Sequence, residues 1–252
     1  MIFWFKRKKI VVDCFTAIEH VYDLYPIESA NKFYPDSFKK LPNTYTTKHH
    51  ESNIDLTYST IKFCNGITEL YKNGLIIPFW ADFVCQPKSA KAGETSIGLI
   101  SSPFQFSNHP RDEQFPGLFT DYIHVKLWSP WKIKEKTGIT WHFGPTSWNS
   151  LCAPVGNFLV LNGMLQFNYQ ASTHVNILIN NNSPNFTLYG GTPLVHLIPL
   201  TEHEVIYKNH LISLQEQDSI GIPSTYSHLT RRRLTRYTKE VQSKKCPFGF
   251  GK

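Results

Sequence analysis

The run Val175-Asn176-Ile177-Leu178-Ile179-Asn180-Asn181-Asn182-Ser183-Pro184-Asn185-Phe186-Thr187-Leu188-Tyr189-Gly190-Gly191-Thr192-Pro193-Leu194-Val195-His196-Leu197-Ile198-Pro199 decides the fold class. Its β-branched and aromatic residues suit a pleated, half-buried surface. Two clusters of turn formers, 180–184 and 190–193, cut it into three strand-length pieces. Upstream, Trp128-Ser129-Pro130-Trp131 opens the same pattern, and residues 140–143 and 158–168 continue it with Gly163 as punctuation. Residues 128–199 therefore read as a turn-separated antiparallel sheet. Short strands recurring every ~8–12 residues indicate a β-sandwich or jelly roll.

Outward from this stretch, residues 95–106 and 121–131 read as strands divided by a turn-rich 107–117, and 75–84 reads as one buried strand. Before it, Ile61, Cys64, Ile67, Leu70 and Tyr71 recur at helical spacing and Asn73-Gly74 is a natural helix stop. The N-terminal part is mixed: a strand over 10–15, one or two helical turns over 18–25, then Pro26, Pro35 and Pro42 as breaks. Residues 44–58, with His49-His50, read as a loop or an edge strand. The expected architecture is mainly β. Residues 62–200 form a jelly-roll or β-sandwich core, 1–61 an α/β lead segment packed on it, and 201–252 a C-terminal arm with a basic helix.

Composition narrows the class. A hydrophobic fraction of 41% over 252 residues is enough for a real core, and 14% aromatic content favours sheet over helix. The net charge of +7 is local. Residues 224–252 carry eight basic side chains, among them Arg231, Arg232, Arg233, Arg236 and Lys239, against the single acid Glu240, so the rest of the chain sums to zero. In this segment Tyr226, Thr230, Leu234, Tyr237 and Val241 share one helical stripe. Three readings stand: the helix docks on its own sheet, on an acidic partner subunit, or on packaged nucleic acid, because clustered arginines contact carboxylate or phosphate. The five cysteines, Cys14, Cys64, Cys85, Cys152 and Cys246, form no C-x-x-C pair, which points to reduced thiols. No apolar run reaches the ~18 residues of a membrane span, and the charges after Met1-Ile-Phe-Trp-Phe run against a secretory signal. A soluble intracellular protein without membrane contact is expected.

Catalytic patterns are sparse. Eleven histidines invite a metal, but none shows cupin or iron-oxygenase spacing, and His142, His174 and His196 fall on strands, where packed imidazoles are the common case. No G-x-S-x-G elbow is present, and Gly93-Glu94-Thr95-Ser96-Ile97-Gly98 lacks the lysine of a phosphate loop. No cofactor or metal is expected, and the weight moves away from an enzyme. Trp80, Trp128 and Trp131 read as core or sheet-end packing, with a carbohydrate or base platform as the alternative.

Two resemblances add to this. Gly163-Met164-Leu165-Gln166-Phe167-Asn168, the strand through Ile179 and Gly191-Thr192-Pro193-Leu194-Val195-His196-Leu197 are similar, over about 40 residues, to the base-binding hairpin and closing strand of dUTPases and dCTP deaminases. That likeness implies a pocket at Gly163, Gln166, Asn168, Gly191 and His196. It departs from the family at the chemistry, because the water-orienting acid is replaced by Gln166 or Asn168, and a neutral amide is no general base at pH 7. A wider resemblance is carried by Asp13-Cys14-Phe15-Thr16, Lys39-Lys40-Leu41-Pro42, Cys64-Asn65-Gly66-Ile67, residues 74–82, Lys126-Leu127-Trp128-Ser129-Pro130-Trp131-Lys132-Ile133 and residues 191–199. In that order they look like an uncharacterised family of tailed bacteriophages, chiefly marine T4-like phages, with cellular relatives.

The resemblance implies a phage protein, and the residues add no catalytic constellation. The expected function is a non-enzymatic virion component of head, neck or tail, in the host cytoplasm during infection and then in the particle. Its expected partners are other virion proteins or further copies of itself, with an acidic partner or packaged nucleic acid at Arg231, Arg232, Arg233, Arg236 and Lys239. A small-molecule or nucleotide binder, or enzyme, on a dUTPase-like jelly roll is the alternative.

Overall fold

The computed structural model of the chain describes residues 9–48, 54–87, 96–99, 106–108, 117–146, 158–168 and 171–220. The expected basic helix, with Arg231, Arg232, Arg233, Arg236 and Lys239, lies outside the described residues, as do Cys152 and Cys246. In chain order the elements are β1 (Lys9–Thr16), α1 (Glu19–Leu24), β2 (Glu28–Ser29), a 3-10 turn (Ala30–Phe33), α2 (Asp36–Lys40), β3 (Thr44–Lys48), β4 (Asp55–Ser59), a 3-10 turn (Ile61–Phe63) and α3 (Asn65–Lys72). Then follow β5 (Leu75–Pro78), β6 (Phe83–Gln86), β7 (Ser96–Leu99), β8 (Phe106–Asn108), β9 (Tyr122–Glu135), β10 (Trp141–Gly144), β11 (Phe158–Val160) and β12 (Gly163–Leu165). The chain ends its described part with β13 (Ser172–Asn180), β14 (Phe186–Leu188), β15 (Pro193–Pro199), β16 (Glu204–Leu211) and α4 (Leu214–Ser219).

The chain is mainly β, as expected. A six-stranded sheet runs β11-β13-β9-β1-β16, with β8 also paired to β9; a five-stranded sheet runs β12-β10-β15-β5-β2; a three-stranded sheet runs β14-β6-β7. Period-two alternation aims one face of each at a common core. Ile10, Val12 and Cys14 of β1, Val125, Leu127, Trp131 and Ile133 of β9, and Val175, Ile177 and Ile179 of β13 meet Trp141, Phe143, Val195, Leu197, Leu75 and Ile77 of the five-stranded sheet, while Phe83, Cys85 and Leu188 enter from the three-stranded one. This arrangement is consistent with a β-sandwich.

The expectation of one turn-separated sheet over 128–199 is corrected in its topology. Consecutive strands β13, β14 and β15 belong to three different sheets, and β11 and β12 are likewise divided. The turn clusters are corners between layers. At the first, Asn180 folds the backbone on its own side chain, its Oδ1 accepting from the Asn182 N–H at 2.8 Å. At the second, a Cβ on Gly190 would lie 2.5 Å from Tyr25 Oη, and Gly191 takes φ +84°. The same correction applies to 75–84, which splits into β5 and β6 in separate sheets. Its corner is tied to the Gly190 corner: Phe79 N–H donates to Thr192 O, Gly191 N–H to Phe79 O, and Gly190 N–H to Asp82 Oδ1, each at 2.8 Å.

Two strands join the core sheet from outside the expected 62–200 segment. β1 pairs antiparallel with β9 and, along its whole length, parallel with β16. The first residues after β9 turn around a buried carboxylate, Glu135, which accepts from Thr137 N–H and Oγ–H and from Gly138 N–H.

Candidate functional site

The two large sheets each have an outer face, and the chemistry differs between them. On the six-stranded sheet the even-numbered residues of β9 point outward, since the odd-numbered Val125, Leu127, Trp131 and Ile133 are in the core. Opposite β13 the register jumps from Trp128↔His174 to Lys132↔Ser172, so Ser129, Pro130 and Trp131 face the single residue Thr173. The Trp-Ser-Pro-Trp motif is therefore a β-bulge, a device that re-aims side chains next to functional surfaces.

The bulge is stitched from within. Thr173 Oγ–H donates to Trp131 O at 3.1 Å and Ser129 Oγ accepts from Trp131 N–H at 3.2 Å. On the other side of β9 lies the gap where β8 pairing ends and β1 pairing begins. Here α4 supplies Gln217, whose Nε2 donates to Pro130 O at 2.7 Å and reaches Phe15 O at 3.5 Å, while Lys132 Nζ donates to Gln217 O at 2.6 Å. A capping box at Ser213 and Glu216 starts this short helix.

What the bulge presents is aromatic and basic. Trp131 is fully buried, whereas Trp128 is 43% exposed with its ring 5.7 Å from that of His174. The packing reading holds for Trp131 and for Trp80, both sealed in the core, and Trp128 is the exposed one of the three. Beside Trp128 on the same face are Lys126, its cross-strand neighbour Asn176, and His124, which shares a 3.3 Å hydrogen bond with Asn176 Oδ1. Further along, Asp13 lies between Lys134 on β9 and Lys208 on β16, and accepts from His210 Nε2 at 2.8 Å. Lys126, Lys134 and Lys208 join no ion pair among the described residues.

The outer face of the five-stranded sheet is roofed. Ile76 and His196, cross-strand neighbours on β5 and β15, lie under Tyr71 of α3 with Ala30, Phe33, Tyr34 and Leu70 around them. Rings run in a column, Phe38 to Tyr34 at 4.5 Å, Tyr34 to Tyr71 at 4.7 Å and Tyr71 to His196 at 4.9 Å. His196 is 1% exposed. Burial depresses its basicity to about 4, neighbouring His142 adds to the depression, and a backbone hydrogen bond at Leu70 opposes it. A Cβ at Gly74 would fall 2.2 Å from His196 Nε2, so the glycine expected as a helix stop is required by this close approach.

Of the five residues of the expected pocket, Gly163 and His196 lie on β12 and β15, the two strands that flank β10. Gly163 begins β12 opposite Phe143; Gln166 Nε2 donates to Thr140 Oγ at 3.0 Å; the Asn168 amide lies against Gly138. Gly191 is in the corner beside Phe79, and His196 is under the α3 roof. Buried Cys14 and Cys85 are thiols held in the protonated form, with desolvation pushing Cys85 up to about 12 and Cys14 higher still. Among the described residues no group of three or more His, Cys, Asp or Glu is placed to hold a metal ion, and no helix is long and apolar enough to cross a membrane.

A third feature stands apart from both sheets. β3 and β4 pair only with each other, and nine of their ten residues are exposed, Leu56 being half-buried. The register puts Tyr45, Thr47, Leu56 and Tyr58 on one side, where the two tyrosine rings stack at 5.4 Å, and Thr46, Thr57, Lys48 and Asp55 on the other. Its base is tied by Thr60 N–H to Asn43 O at 2.9 Å and Thr60 Oγ–H to Pro42 O at 2.7 Å. The result is an amphipathic ribbon whose apolar side is uncovered.

No protein-family model matches the chain, and comparison with curated proteins gives no match.

Proposed function

We propose that this chain is a non-enzymatic structural component of a bacteriophage particle, joined to neighbouring subunits through the β3–β4 ribbon. The observation that carries the proposal is the ribbon's exposure. A two-stranded hairpin alone in water is marginal, so one with stacked tyrosines on an uncovered side gains its stability on docking. The resemblance to tailed-phage proteins supplies the setting, and the arm at Arg231, Arg232, Arg233, Arg236 and Lys239 offers a further contact for an acidic subunit or packaged nucleic acid. The protein is then made in the host cytoplasm and ends in the virion. Within this reading the sheet stack is a jelly roll, supported by the repeated passage of the chain between sheets at its corners.

Mass spectrometry of purified particles tests the proposal. The protein is expected in the particle, and replacement of 44–59 by a short Gly-Ser turn is expected to leave the core folded and abolish incorporation. Absence of the wild-type chain from particles would sink the proposal.

A further inference from the structure

We infer that the outer face of the six-stranded sheet is a binding site for single-stranded nucleic acid, centred on the Trp128 bulge. Three observations converge on it. Trp128 is a large ring held half out of the sheet by a bulge that Thr173 and Gln217 lock in place, so the platform is formed before any ligand arrives. His174 extends the ring surface across the strand pair. Lys126 is two residues away on the same strand face, about 6.7 Å at the usual strand rise, and Lys134 and Lys208 stand further along beside β1.

Charge decides the ligand class. Lys132 donates to the Gln217 carbonyl and Lys9 pairs with Glu204, while Asp13, bonded to His210, lies between Lys134 and Lys208, so on the outward strand positions Lys126, Lys134 and Lys208 outnumber that one remaining carboxylate. A neutral sugar uses a tryptophan platform but has no need of three lysines; a polyanion uses both. A half-exposed outward ring stacks unpaired bases, which a duplex does not offer, while lysines along the strands take the phosphates. Asn176, the cross-strand neighbour of Lys126, adds a partly exposed amide within reach of a base edge, and buried His124 holds it through a 3.3 Å hydrogen bond. This site stands on other residues than the ribbon and is independent of the assembly role.

Fluorescence anisotropy of the full-length chain with a labelled oligothymidylate about 12 nucleotides long tests the inference. The wild-type chain is expected to bind it. Trp128→Ala, at an exposed position, is expected to keep the wild-type melting curve and bind roughly 5- to 150-fold more weakly, as loss of one base stack requires. Trp128→Phe retains most of the affinity. Lys126→Ala and Lys134→Ala each lower the slope of log affinity against log salt by about 0.7. Neutralising Arg231, Arg232, Arg233 and Arg236 together leaves the Trp128 dependence intact. Unchanged binding in Trp128→Ala, preference for duplex, or displacement by a neutral oligosaccharide would each overturn the assignment.

Discussion

The outer faces of the two large sheets start from the same rule, alternate side chains along each strand, and end differently. On the five-stranded sheet, residues 30–72 fold back as a 3-10 turn and helices that seal Ile76 and His196 under Tyr71. On the six-stranded sheet, α4 covers the gap beside Pro130 and leaves Trp128 half exposed. The histidine on the sealed face is held neutral by burial, while His210 on the six-stranded sheet shares a 2.8 Å hydrogen bond with Asp13. Local sequence at the two sites is alike in having strand histidines beside aromatics; what lies over each position separates the sealed His196 from the half-exposed Trp128.

The sharpest way to break the contrast is to remove the roof. Tyr71→Ala deletes a fully buried ring and is expected to cost about 3–5 kcal/mol in urea denaturation, by lost transfer energy and the cavity left behind. Wild-type-like stability would mean that this face is open in solution.

Acid tests the same seal from inside. His196 is depressed from 6.5 to about 4, so the unfolded chain takes up the proton first. The stabilisation is complete above pH 6.5 and is lost as pH falls from 6.5 through 4, roughly 3 kcal/mol at most. His196→Leu is expected to remove that part of the difference between denaturation at pH 7 and at pH 4. An equal acid loss in the variant would locate the titration elsewhere.

The smallest effect belongs to the half-exposed Trp128. Trp128→Ala is expected to change stability by less than about 0.5 kcal/mol, because an exposed side chain away from the core contributes little. A loss as large as that of Tyr71→Ala would show that Trp128 is covered too.

Much of this was legible. The runs at 10–15, 140–143, 175–179 and 194–200 coincide with β1, β10, β13 and β15 within a residue or a few, because half-buried strands write their period into the chain. The corners were located but not their meaning, since Asn-rich and Gly-Gly turns look the same whether the next strand pairs alongside or crosses to another layer. β16 was missed: it pairs in parallel with β1 across nearly the whole chain, a partnership with no local signal. Gln217 is silent for a similar reason, because an amide in a six-residue helix reads as a solvated polar group until Pro130 O and Phe15 O are seen beside it. Of the residues named for the expected pocket, Gln166 bonds to Thr140, Asn168 lies against Gly138, Gly191 sits in the corner with Phe79 and His196 lies under Tyr71, neighbours that no local pattern announces.

By itself the sequence determined which stretches are strands, that the core is apolar and aromatic, and where the chain turns, because each of these follows from residues within a few positions of one another. Tertiary structure decided which sheet each strand joins, that Trp131 goes in while Trp128 stays out, and that His196 is sealed. Those outcomes depend on what segment lies over a face, and such segments are distant in the chain: Gln217 is 87 residues from Pro130, and Tyr71 is farther still from His196.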